Sequence, residues 1–178
     1  MTAWQNDVRN ALVTTLLADA VLSTYCEAIT KCSVLRDEDL PDVVRHGILV
    51  GPPSWRMAEV HSPVTSFDEI TIELRACVLV WDPTNEEAAV SGETVVGLGT
   101  STVGVAKFAE DIGNCLRLNT LNTALVALGR NSLEETGREI DGVGFDLRRV
   151  VSPARDRIWR EAVLTWTGLI RNTMERTA

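Results

Sequence analysis

The chain has 178 residues, 45% hydrophobic and 24% charged, the balance of a single globular domain spanning 1–178. Seventeen basic residues face 25 acidic ones, a net charge of −8 with neutral histidines. That argues against binding nucleic acid by phosphate neutralisation and against attraction to an anionic membrane face.

The first segment, Thr2 to Ala18, reads as a helix. Trp4, Val8, Leu12 and Leu16 recur every four residues, with Ala11 and Leu17 alongside. The opening residues lack the basic and apolar regions of a signal peptide, and no apolar run reaches the length of a membrane helix. Asp19 to Ile29 reads as a short helical continuation. Lys31 to Pro53 carries an acidic cluster, Asp37-Glu38-Asp39, then Leu40-Pro41-Asp42. It ends in a short strand, Ile48-Leu49-Val50, closed by Gly51-Pro52-Pro53.

Arg56 to Val64 and Asp68 to Trp81 predict two antiparallel strands joined by a turn around Pro63 to Phe67. In the second strand Ile70, Ile72, Leu74, Ala76, Val78 and Val80 share one face. The other face begins polar, with Thr71, Glu73 and Arg75, and ends apolar, with Cys77, Leu79 and Trp81. A helix or a neighbouring subunit must cover that apolar end. Thr84 to Gly104 is rich in Gly, Ser and Thr and reads as a long loop with one helical turn at Glu86 to Val90. Loops of this length in compact domains are usually functional.

A helix is expected from Ser101 to Leu118, with Val105, Phe108, Ala109, Ile112 and Leu116 as its buried stripe. Asn119 to Ala127 reads as a short strand or turn, and Gly129 to Asp141 as a polar loop. A second hairpin closes the chain: Gly144 to Val151, a turn at Ser152 to Asp156, and Arg157 to Arg171. A polar tail, 172–178, is expected to fray. The order of elements predicts an α+β domain: a mostly antiparallel sheet of two hairpins with two main helices packed on one face.

Motifs of catalysis are poorly represented. Gly99 to Gly104 has the glycine spacing of a phosphate-binding loop. Val105-Ala106 stands where Lys-Ser/Thr is required, and Lys107 comes two residues late. Neither the dinucleotide fingerprint nor a Gly-x-Ser-x-Gly elbow is complete. His46 and His61 are candidate acid–base groups beside Asp42 or Glu59, and Cys26, Cys32 and His46 are a candidate zinc set. Ordinary packing is the commoner role for such residues. No catalytic, metal or cofactor site is expected. The acidic clusters Asp37-Glu38-Asp39 and Glu134-Glu135 read as solvated loops.

The five tryptophans are a different signal. Trp4, Trp55, Trp81, Trp159 and Trp166 do not all fit one core face, and aromatic residues concentrate at protein interfaces. Cys77, Leu79, Trp81, Trp159 and Trp55 are the candidate interface, with Glu86, Glu87 and Thr94 as loop contacts. The alternative is that the chain's own helices cover these residues.

The element order resembles that of the tail-terminator proteins of long-tailed bacteriophages. An opening helix, Val8 to Leu17, runs into Asp39-Leu40-Pro41-Asp42. Next come Gly47-Ile48-Leu49-Val50, a long hairpin ending in Trp81-Asp82, and a helix leading through Cys115-Leu116-Arg117-Leu118-Asn119. A hairpin with Trp159 and Trp166 closes the order. The resemblance implies a non-enzymatic virion protein of the tail and neck, assembled in the host cytoplasm. It implies a homo-oligomeric, hexameric ring that caps the tail tube, meets the tail tube protein and the head connector, and lets DNA pass. Net negative charge suits such a lumen, because like charge removes the counterion-release attraction. A head-completion or adaptor protein is the neighbouring alternative. A small-ligand or nucleotide-binding enzyme using the Gly-rich loop is the alternative from another class. On the ring reading, substitution of Trp81 or Trp159 is expected to impair assembly more than folding.

Overall fold

The computed structural model describes residues 3–35, 45–62, 65–80, 89–90, 103–116, 118–127, 148–152 and 157–173. Helix α1 spans Ala3–Ala18, as the four-residue spacing predicts. Val8, Ala11, Leu12 and Leu16 are buried along it. Asp19 ends the helix and starts the next element. Its Oδ1 accepts the backbone N–H groups of Val21 and Leu22, both at 2.9 Å. This side-chain turn opens a 3-10 turn, Leu22–Thr24.

The short helical turn expected within Asp19 to Ile29 is this 3-10 turn, but it does not extend to Ile29. The chain instead forms strand β1, Ala28–Lys31. β1 pairs in parallel with β2, His46–Val50, all five of whose residues are buried. Backbone pairing to a buried neighbour selects an extended conformation where four residues of sequence carry no periodicity.

Strands β3, Ser54–Ser62, and β4, Thr65–Val80, form the expected hairpin, with register shifts at Met57/Glu59 and Val60/Ser62. β2 and β3 both lie along the same edge of β4. β2 pairs with Leu74–Val78 and β3 with Thr65–Thr71. Gly51-Pro52-Pro53 carries the chain from one ladder to the next. The Gly51 N–H donates to the Glu73 carbonyl at 2.8 Å. A Cβ at Gly51 would stand 2.9 Å from Leu35 Cδ1 and 3.0 Å from that same carbonyl oxygen, so the crossing needs glycine.

Helix α2, Val105–Cys115, is shorter than the predicted Ser101 to Leu118. Its stripe is as expected: Val105, Phe108, Ala109 and Ile112 are fully buried. A third helix, α3, occupies Leu118–Ala127, where a strand or turn was expected. Leu121 and Leu125, four residues apart, are both buried, and the helix packs on α1. Strands β5, Arg148–Ser152, and β6, Arg157–Thr173, form the closing hairpin.

The sheet has six strands in the order β1-β2-β4-β6-β5, with β3 paired to β4 beside β2. Only the β1–β2 pair is parallel among these ladders. The helices pack on one face, against the alternating residues Ile70 to Val80 of β4 and Ala162, Leu164 and Trp166 of β6. The fold is α+β, and among the described residues α1, α2 and α3 contribute to the core on that face, one helix more than the two expected. β4 and β6 hold the molecule together through sixteen consecutive antiparallel pairs, from Thr65↔Thr173 to Val80↔Ile158.

Candidate functional site

The face of the sheet away from the helices carries most of the interface residues read from the sequence. Register places Leu79 opposite Trp159 and Cys77 opposite Glu161. Leu49 lies one strand further out, opposite Arg75. Cys32, Leu49, Cys77, Leu79 and Trp159 form a second apolar cluster, with Leu35 packed against it. Trp159 is 5% exposed and Cys77 fully buried within the single chain. Cys77 and Leu79, two of the three apolar residues that needed a cover, therefore have one in their own chain, supplied in part by the stretch Cys32 to Leu35 that follows β1. This corrects the premise that these residues are bare in the monomer, and it removes the need for a subunit to cover them.

The same face holds a buried carboxylate, Glu161, beside the partly buried Arg75. Glu161 is 2% exposed. Arg75 Nη1 stands 4.0 Å from Glu161 Oε2, and Arg75 Nε stands 3.1 Å from Glu73 Oε1. The Cys77 thiol donates to Glu161 Oε1 at 3.6 Å. A buried carboxylate needs such partners because desolvation of an isolated charge is expensive. Neither Arg75 nor Glu161 stood out in the sequence. The signal was available, since Arg75 lies on the same face of β4 as Cys77 and Leu79, and Glu161 on the same face of β6 as Trp159 and Val163.

A second polar group lies under α2. Three rings meet edge to face: Tyr25 and His46 with centroids 5.4 Å apart, Tyr25 and Phe108 at 5.3 Å, and His46 and Phe108 at 5.8 Å. The Tyr25 hydroxyl donates to Asp111 Oδ2 at 2.8 Å, and Lys107 Nζ donates to Asp111 Oδ1 at 2.7 Å. His46 Nε2 meets the Val103 carbonyl oxygen at 2.7 Å, so this nitrogen carries the proton and donates. Burial holds His46 below the usual histidine range. The Val103 carbonyl and Glu27 act in the opposite sense, and Arg45 adds to the lowering. Burial, the hydrogen bond to Asp111 and that residue's charge push the Tyr25 hydroxyl well above the usual tyrosine range. A neutral imidazole and a tyrosine this reluctant to ionise are anchors rather than a proton-transfer pair.

The other candidates separate. His46 bonds to Val103, while Asp42 and the side chains of Glu59 and His61 lie outside the described residues. Lys107 is committed to Asp111 and to Glu110 at 3.3 Å, both on its own helix. Cys26 packs against the helix-side core and Cys32 sits in the opposite cluster, so the sheet separates two members of the candidate zinc set. Among the described residues no group of three or more His, Cys, Asp or Glu side chains is placed to hold a metal. Burial pushes the Cys26 thiol up to about 11 and the Cys115 thiol up to about 12. Both are poor nucleophiles at neutral pH. Trp55 on β3 is 54% exposed. Trp81, Glu86, Glu87, Thr94 and most of the Gly-rich loop lie outside the described residues, as do the side chain of Trp4 and residues 174–178 of the tail, whereas Asn172 and Thr173, expected to fray, are paired in β6. Ala89 and Val90 have helical backbone, and Ala89 is buried in the main core.

Among the described residues no helix is long and apolar enough to cross a membrane. Comparison with protein-family models finds no family that matches this chain, and no curated protein matches it.

Proposed function

We propose that this chain is a structural subunit of a homo-oligomeric ring of the phage tail-terminator type, capping a tail tube and joining it to the head connector. The observation that carries the reading is the flank of the sheet at β3. Trp55 stands opposite Ile70 on the helix-side face. Ile70 is fully buried, yet Trp55 is 54% exposed, so the helical cover ends between these two neighbours. From that register β3, β4 and β6 run on together toward Thr65 and Thr173. Five residues of β4 beyond Ile70 correspond to roughly 17 Å of sheet. A large aromatic at the rim of such an extension is the kind of residue that protein interfaces bury.

The interface thus moves from the Cys77–Trp159 face, which the chain closes for itself, to the β3 flank around Trp55. The net charge of −8 supports a lumen through which DNA slides without being held. The test is a Trp55→Glu substitution, examined by mass photometry and negative-stain microscopy with and without the tail tube protein. The native chain is expected to form rings of one rotational symmetry. The variant is expected to melt at the native temperature and to fail to form them. A native chain that stays monomeric at high concentration and does not assemble on the tube would overturn the reading.

A further inference from the structure

We propose that His46 is an acid-released latch. In its neutral form it pins the start of α2 to the sheet, and on protonation that end of the helix comes away.

The first turn of α2 is anchored by the buried side chains of Val105 and Phe108, but its polar end is poorly capped. Its cap residue is Gly104, with φ −70° and ψ 160°, and no side chain caps the first turn. The first backbone bond of the helix is the Phe108 N–H to the Gly104 carbonyl at 2.9 Å. Val103, the residue before the cap, is tied to β2 by the 2.7 Å bond from His46 Nε2. The imidazole that makes this tie is 4% exposed and stands edge to face with Tyr25 and Phe108. It therefore lies at the positive end of the α2 dipole, in apolar surroundings, where a cation is disfavoured on both counts.

The groups around it do not offset this. From the chain entering β1, Tyr25 and Cys26 are neutral and Glu27 favours the charged ring. The Glu27 carboxylate also accepts the Arg45 N–H at 2.7 Å. Arg45 opposes charging from β2. On α2 the Asp111 carboxylate is engaged by Tyr25 and Lys107, and Lys107 also meets Glu110. On the helix-side face Val78 stands opposite His46, and Arg160 stands opposite Val78, which places a further cation two strands away.

The sign of the effect follows from linkage. The detached ring titrates near the ordinary value of about 6.5, and the docked ring titrates lower. Docking is unaffected above that pH. Below it the detached form gains a proton that the docked form lacks. Each further pH unit disfavours docking by about tenfold, until the docked ring itself protonates.

Hydrogen exchange, corrected for the intrinsic rate, tests this at pH 7.5 and pH 5.5 in the native chain and in His46→Gln, which keeps an N–H donor but cannot titrate. In the native chain, protection of amides 105–108 is expected to fall at the lower pH, with about tenfold as the upper limit, while amides 74–78 of β4 keep theirs. His46→Gln is expected to lose that pH dependence. Unchanged protection in the native chain, an equal fall in the variant, or a simultaneous fall in β4 would each overturn the latch. If His46→Gln does not fold, His61→Asn leaves one imidazole in a chain that has two. Its proton resonance is then expected to titrate below 6.5, and an ordinary or raised midpoint would overturn the proposal. The latch belongs to the single chain, so its failure and that of ring assembly are separately visible.

Discussion

Two polar side chains of α1, Arg9 and Thr15, differ in how they are satisfied. Arg9 Nη2 donates to the Cys32 carbonyl at 2.7 Å and to the Val50 carbonyl at 2.6 Å. One guanidinium thereby fastens the helix to the ends of both strands of the parallel pair. Thr15 behaves differently. It is 4% exposed, and its hydroxyl has no hydrogen-bond partner among the described residues. Its backbone carbonyl accepts the Cys115 thiol at 3.5 Å, which a substitution of the side chain leaves in place. A buried hydroxyl without a partner costs desolvation and returns little. Thr15→Val keeps the branched shape and removes the polar atom. It is expected to stabilise the chain by about 1 kcal/mol, read from the midpoint of denaturant unfolding at constant slope.

At the scale of elements, β6 shows how one side chain replaces another. Gly168 is buried, and the ring of Trp166 lies where a Cβ at 168 would stand. Trp166 thus folds along its own strand over the glycine that stands opposite Ile70. Gly168→Ala forces the indole out of this position and is expected to cost about 1–3 kcal/mol, seen as a lower denaturation midpoint and altered near-ultraviolet dichroism. Legibility in the sequence followed period and length. β4 was readable because Ile70 to Val80 alternate over six buried positions, and α1 because its apolar residues repeat every four. β1 was not readable, since Ala28-Ile29-Thr30-Lys31 is too short to show a period and is made a strand by its parallel partner. α3 was missed because Leu118-Asn119-Thr120-Leu121-Asn122-Thr123 is poor in intrinsic helix formers, and packing of Leu121 and Leu125 on α1 overrides that preference. The hub beneath α2 was half visible. His46 drew notice, but its tie is to a backbone carbonyl, and no side-chain pattern encodes a carbonyl.

For the whole molecule, the two faces of the sheet answer the question raised by the tryptophans. Trp166 belongs to the helix-side core and Trp159 to the cluster on the other face, and both are closed within one chain. Trp159→Ala is therefore expected to cost about 3–5 kcal/mol of folding stability in the isolated chain. A loss of assembly at unchanged melting temperature would show instead that Trp159 faces a subunit. This reverses the expectation drawn from alternation alone. Alternation shows that both faces are apolar, and does not show that Cys32 and Leu35 return to cover the second one.

The long ladder between β4 and β6 also governs when this molecule can come into being. It joins residues roughly 80 to 110 positions apart, so the central strand has no partner on that side until β6 has left the ribosome. Until then β4 presents an apolar edge to whatever is nearby. Folding is accordingly a late and slow event, and the hazard it must survive is the encounter of two unfinished chains.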